Sequence, residues 1–362
     1  MGKNNNTNKR KNINSTSGHK IIEELGLPIL PTTSVGSLPK PDYIKEARRK
    51  KIPKKELRKL EDKATEFWVR FQDEIGIDVI VDGEVYRGDM ATFFAENMEG
   101  FKMSGLVRSY GNRYYIKPRI VGKIKWKKPI TVDRWKFAQS LTKKPVKGMI
   151  TGPYTMMDWS FDEYYGSREK VCIAFAKELR KEVEALAEAG AKIIQIDEPA
   201  ISTRPYEFQI AKEALEIMTE GIPAYFITHI CYGAFEFVYP QMLKLPVHNF
   251  DLEMSNSELD LIELFKEHPF TKDISFGVID VHTHKIEDVE TIKQRIRKAL
   301  EVLDVNQVWI DPDCGLKTRT EEEAKQKLQN MVKATEEVRK EIEEIRKKSA
   351  ELQKQGGEEI RA

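Results

Sequence analysis

Thr228-His229-Ile230-Cys231, Asp251-Leu252-Glu253 and Asp311-Pro312-Asp313-Cys314-Gly315 each close a short apolar, strand-like run. Two of the chain's three cysteines, a histidine and a carboxylate thus stand where strands are expected to end. Thiolate, imidazole and carboxylate are the protein ligands that suit zinc, which favours a four-coordinate tetrahedral shell. Residues at successive strand ends can converge on one point, so the pattern reads as a catalytic metal site. A structural zinc would come from closely spaced knuckles, not from residues spread over some 85 positions. His229 and Cys231 are two apart and point to the same side of an extended strand. A His/Cys/Glu/Cys shell around Zn²⁺ carries a net charge of −1, so a substrate has to displace or crowd a ligand. A thiol suits that role, because zinc keeps it as a nucleophilic thiolate at neutral pH.

The theme repeats outward from this stretch. Apolar runs fall at Ile29–Thr33, Asp78–Val81, Val146–Thr151, Ile193–Ile196, Tyr225–Ile230, Asn249–Glu253, Ile274–Val281 and Val308–Asp311, with helix-period segments between them. Cys172, Phe175, Ala176, Leu179, Val183 and Leu186 form one apolar stripe after Ser167, and Gly190 stops it. Val289, Ile292, Ile296, Ala299 and Leu303 form another. A third, from Ala324 to Ile345, belongs to a last helix predicted to end before Gly356-Gly357. Eight strands alternating with helices predict an α/β fold, a single closed (β/α)₈ TIM barrel. No Gly-rich phosphate turn follows the first run, which argues against an open doubly wound sheet. The expected layout is a disordered polar tail over 1–18, a barrel over 19–355 and a short tail over 356–362. A segment from about 87 to 144 interrupts the alternation. Its two β-rich runs around Gly111-Asn112 predict a hairpin inserted after strand two, over the barrel mouth.

Composition narrows the function. The chain of 362 residues is 40% hydrophobic, with a formal net charge of +2. That balance supplies no global field toward nucleic acid or membrane. No apolar run approaches the roughly 18–20 residues of a membrane span, and no signal peptide is visible. Three cysteines in a chain of this size make reduced cytoplasmic thiols the expectation. Cys172, on its helix stripe, reads as a small core hydrophobe.

In a closed barrel the active site lies at the C-terminal ends of the strands. Those ends carry Ser37, Glu84, Thr151-Gly152, Asp197-Glu198, His229 with Cys231, Glu253, His282 and Cys314. The opposite rim has no comparable set.

These residues resemble a known family. Thr32-Thr33-Ser34-Val35-Gly36-Ser37, Asp82-Gly83-Glu84-Val85-Tyr86-Arg87-Gly88-Asp89-Met90, Gly148 to Pro153 with Trp159-Ser160-Phe161, Gln195-Ile196-Asp197-Glu198-Pro199-Ala200, Thr228 to Tyr232, and Asn306 to Arg319 run in family order. The chain is similar to the C-terminal catalytic barrel of cobalamin-independent methionine synthases, in their short, single-barrel, archaeal-type form. The resemblance implies zinc-dependent methyl transfer to the thiol of L-homocysteine, giving L-methionine, with one Zn²⁺ per chain. It implies His229, Cys231, Glu253 and Cys314 as zinc ligands. It also implies Val35, Gly36 and Ser37 around the homocysteine carboxylate, and Glu84 and Asp197 around its ammonium. His282 would be the proton donor, with Asp280 as its orienter. Trp159, Arg113 and Tyr114 match the surface that holds the methyl donor.

The resemblance covers only the second of the two barrels of the full-length enzymes. The half that helps hold a polyglutamylated methyl-folate has no counterpart here, and Thr203 stands where the family often has Glu. The donor is therefore open between 5-methyl-tetrahydropterin and a corrinoid, either methylcobalamin or a corrinoid protein. Rival readings are a methyltransferase acting on another thiol such as coenzyme M, a metal-dependent hydrolase built on His282-Thr283-His284, and a non-catalytic RNA binder using Lys9-Arg10-Lys11.

Overall fold

A computed structural model describes residues 20–108, 114–231, 235–255 and 261–359. The tail at 1–18 and Arg113 lie outside them. Along the chain run α1 (Asp42–Arg49), α2 (Lys54–Glu74), α3 (Met90–Glu96), β1 (Met98–Arg108), β2 (Tyr114–Trp126), α4 (Val132–Ser140), β3 (Gly148–Thr151), α5 (Pro153–Asp158) and β4 (Phe161–Asp162). There follow α6 (Arg168–Glu188), β5 (Ile193–Asp197), α7 (Phe208–Thr219), β6 (Tyr225–Ile230), β7 (Asn249–Leu252), α8 (Leu261–Glu267), β8 (Asp273–Ile279), α9 (Val289–Leu300), β9 (Val308–Pro312) and α10 (Glu321–Glu359).

Six of the expected runs form one parallel sheet in the order β3-β5-β6-β7-β8-β9. Every residue of these strands is buried. Helices on crossover connections cover parallel strands, which explains why the runs are continuously apolar rather than alternating. The helices follow their signals. In α6, the Ser167 hydroxyl accepts from the Lys170 amide, the predicted stripe including Cys172 is buried, and Gly190 follows at φ +108°. In α9, Asp288 caps the Thr291 amide at 2.8 Å.

The first two runs depart from expectation. Ile29–Thr33 and Asp78–Val81 make isolated parallel bridges, Thr32 with Ile310 and Ile80 with Val146, instead of strands. Pro28 and Pro31 remove ladder donors, and Leu30 sits at φ +52°. Gly83 and Glu84 turn the second run away at φ 78° and 51°. Such backbone cannot extend a ladder. The last helix also runs on to Glu359, past the Gly356-Gly357 pair expected to end it. Extending an existing helix needs no new nucleus, so two glycines at about 1 kcal/mol each do not stop it.

The segment 87–144 contains α3, the antiparallel pair β1–β2, and α4. Leu106 pairs with Ile116 and Arg108 with Tyr114; the expected turn lies outside the described residues. Buried Glu182 of α6 anchors the chain between β2 and α4, accepting from the Trp126 indole and from the Ile130 and Thr131 amides at 2.7–2.8 Å. At the N-terminal ends of the strands Ile193, Tyr225 and Trp309 pack with Ile21 and Val79 in an apolar plug. No helix among the described residues is long and apolar enough to cross a membrane.

Candidate active site

Parallel register sets the first row of the site. Thr151 pairs with Asp197, Asp197 with His229, and His229 with Asp251. Three adjacent strands thus present Asp197, His229 and Asp251 at one level, and all three are buried.

Asp251 orients the imidazole. Its Oδ1 lies 2.8 Å from His229 Nδ1, so Nε2 is the nitrogen left for a ligand. Nε2 is buried and has no hydrogen-bond partner among the described residues. The ligand atoms of His229, Cys231 and Cys314 lie within 4.8 Å of one another. This arrangement fits a metal: two sulfurs and an unpartnered imidazole nitrogen converge, and a carboxylate behind the histidine sets its tautomer. Without a metal the three polarise one another. A hydrogen bond from Cys231 and the neighbouring His229 hold the Cys314 thiol well below its usual range, against the effect of burial. That same hydrogen bond, with burial, pushes Cys231 up. Burial opposes charge on His229, but Asp251 and Cys314 raise its pKa well above the usual imidazole value.

Glu253, the fourth expected ligand, comes directly after β7. Its Oε1 is 3.1 Å from His282 Nε2, and it falls outside the His/Cys/Cys cluster. The hydrogen bond to Glu253 raises the His282 pKa despite burial. The Asp280 carboxylate accepts from the His282 backbone amide at 2.7 Å, while the Glu253 carboxylate meets the ring. His284 bonds Glu323 on the exposed surface. The two rings of the His-x-His pair therefore bond different carboxylates.

The Val35–Ser37 turn, Glu84 and Asp197 are linked through short contacts. The Val35–Ser37 turn packs on Cys314-Gly315, because a Cβ on Gly315 would come within 2.0 Å of Ser37 Oγ. A Cβ on Gly36 would lie 2.9 Å from Glu84 Oε1, so glycine permits the turn to approach that carboxylate. Glu84 adopts a left-handed backbone, with Asp82 accepting from its amide. Such strain persists where surrounding structure imposes it. Arg87, buried among Tyr86, Phe93 and Phe94, bonds Glu84 Oε1 and the Met149 carbonyl. Gln195 donates to both the Val35 carbonyl and Asp197 Oδ1 at 2.8 Å. It thereby ties the Val35–Ser37 turn to Asp197. Burial pushes the Asp197 carboxyl up to about 6, against the pull of nearby His229, and Glu84 adds to the rise.

Trp159 follows α5, and its ring lies 5.9 Å from that of Tyr115. Strand alternation turns Tyr115 inward and leaves the expected Tyr114 65% exposed. Sequence reading passed over Asp251, Gln195 and Tyr115. Asp251 had a usable signal, since it lies two residues before Glu253 and faces the same side of the strand.

A model of the family described as "Cobalamin-independent synthase, Catalytic domain" matches residues 30–337. A protein named methionine synthase from Saccharolobus solfataricus is 41% identical over 320 residues, covering 87% of this chain and 96% of that one. Its counterpart from Sulfurisphaera tokodaii is also 41% identical, over 94% of its length. Among solved structures, a B12-independent methionine synthase from Shewanella sp. W3-18-1, in complex with selenomethionine, matches with a TM-score of 0.79 and 30% identity. That match covers 87% of this chain and 99% of that one.

Proposed function

The chain belongs to the cobalamin-independent methionine synthase family of methyltransferases, and on that premise we propose that it transfers a methyl group to the thiol of L-homocysteine at a zinc centre. The observation that carries this reading is the convergence of His229, Cys231 and Cys314 beside the Ser37–Glu84–Asp197 clamp. Glu253 completes the ligand set in this reading. The fold reading is a closed eight-segment ring. Backbone bonds support it: Ile310 N to Pro31 O, Val79 N to Thr32 O, and Lys147 N to Ile80 O. The β1–β2 hairpin is read as an insertion over the mouth of that ring, supported by the bond from the Tyr115 hydroxyl to the Trp159 carbonyl.

Zinc, when bound, lowers the pKa of a coordinated thiol and keeps it as a thiolate at neutral pH. The remaining work falls to the chain. Gly36 and Ser37 amides take the substrate carboxylate, while Glu84 and Asp197 hold its ammonium through charge-assisted hydrogen bonds. With both ends of the amino acid fixed, the sulfur has one direction of approach to the methyl carbon. The new sulfur–carbon bond forms as the bond from methyl to donor breaks, and its electron pair leaves with the donor. Where that donor is a tertiary amine, His282 supplies the proton that makes it a good leaving group. Trp159 and Tyr115 offer the donor an aromatic face. Bound selenomethionine in the Shewanella relative, the selenium analogue of the product, is in keeping with this pocket.

We take the donor in this reading to be a corrinoid, free or protein-bound. Zinc-loaded protein supplied with homocysteine and each donor in turn tests it, with methionine measured by mass spectrometry. Turnover with 5-methyl-tetrahydropterin but not with methylcobalamin or a methylated corrinoid protein rejects the corrinoid assignment.

A further inference from the structure

We propose that Asp313 is a positioning residue that sets Glu253 against Cys314, an inference that rests on the metal-site reading above. β7 and β9 are not neighbours, because β8 lies between them. Strands two places apart are separated by about 10 Å. A ligand at the end of β7 and one at the end of β9 therefore need a device to bring their loops together.

Asp313 is that device. It is fully buried, and its own amide bonds the Ile279 carbonyl of β8. Its side chain crosses β8 to reach the end of β7. Oδ1 accepts from the Met254 and Ser255 amides, both at 3.0 Å, and Oδ2 accepts from the Ser255 hydroxyl at 2.6 Å. The crossing is open only because position 277 is glycine. A Cβ there would stand 2.2 Å from Asp313 Oδ1 and 2.9 Å from the Leu252 carbonyl. The carboxylate thus sits next to Cys314 in sequence and grips the two residues after Glu253. Three donors on one ionised carboxylate make the link stiff. The substrate need not touch Asp313; it acts through where it places Glu253.

Co(II) is the test probe, because its absorption reports ligand type without turnover. Asp313→Ala, Asp313→Asn, Glu253→Gln and the double variant Asp313→Ala/Glu253→Gln are titrated with Co(II) and followed by thermal melts. Asp313→Ala is expected to bind Co(II) about 10- to 100-fold more weakly, the usual effect of removing a group that supports a ligand. It keeps the thiolate-to-cobalt charge-transfer band, and its visible bands shift as those of Glu253→Gln do. The double variant is no weaker than the weaker single one, because both changes remove the same contribution. Asp313→Asn stays near wild type, since its oxygen still accepts from the two amides and its NH₂ can donate to the Ser255 hydroxyl. If Asp313→Ala does not fold, Ser255→Ala gives the same reading with a drop of about threefold, one hydroxyl donor being lost. Wild-type affinity and spectrum in Asp313→Ala, or additive losses in the double variant, overturn the inference while leaving the metal site standing. Absence of a charge-transfer band in the wild-type protein overturns the metal site and this inference with it.

Discussion

Asp197→Asn tests the proposed amino-acid clamp apart from the proposed metal centre. Burial holds the Asp197 carboxyl at about 6, so at pH 7.5 it is ionised and able to pair with the homocysteine ammonium. A hydrogen bond to a charged group contributes about 1.5–3 kcal/mol, so the variant should raise KM for homocysteine roughly 10- to 150-fold at that pH. At pH 5 only about a tenth of the wild-type carboxyl is ionised. Wild-type KM therefore rises about tenfold there, and the gap to the variant narrows by the same factor. Stability moves in the opposite direction. Raising a carboxyl from 3.8 to about 6 makes the ionised form cost about 3 kcal/mol in the folded protein. That cost is absent below about pH 3.8 and complete above about pH 6, so the amide should stabilise the ligand-free protein at neutral pH. The assay is methyl transfer over pH 5–8, with zinc content by elemental analysis and a thermal melt on each sample. Unchanged KM at pH 7.5 would refute the clamp assignment. A KM ratio that does not shrink on acidification would refute the assignment of the titration to Asp197.

Three further outcomes are expected. Cys314→Ser should lose zinc and methyl transfer together; full zinc retention by elemental analysis undoes the ligand assignment. Asp251→Asn leaves His229 without its carboxylate partner and should weaken metal affinity about 10- to 100-fold, measured by competition with a chromogenic chelator. An affinity within twofold of wild type would remove Asp251 from the site. Gly152→Ala places a Cβ 2.2 Å from the buried Glu198 carboxyl, which accepts from the Tyr154 and Thr155 amides at the start of α5. It should cost about 1–3 kcal/mol by chemical denaturation, and an unchanged midpoint would show that the strand end relaxes freely.

Much of this protein is written locally. Buried parallel strands need unbroken apolar runs, and helices between them need one apolar face. Both patterns are legible in Tyr225–Ile230 and in the Cys172–Leu186 stripe, so the α/β alternation can be read from the residue order. The ligand candidates were legible for the same reason, since polar residues that end buried strands serve no packing purpose. Bonds that join distant segments were not legible. Asp251 stands behind His229 because of the β6–β7 register, and Gln195, which also bonds Asp197, reaches back 160 positions to Val35. Tyr115 rather than Tyr114 turns toward Trp159 because of the strand's phase on the hairpin. Residue order alone dictated which side chains could bind a metal and on what kind of scaffold. Which of them meet was settled by folding in three dimensions, because no local spacing encodes the path by which Asp313 crosses Gly277 to hold the loop after Glu253.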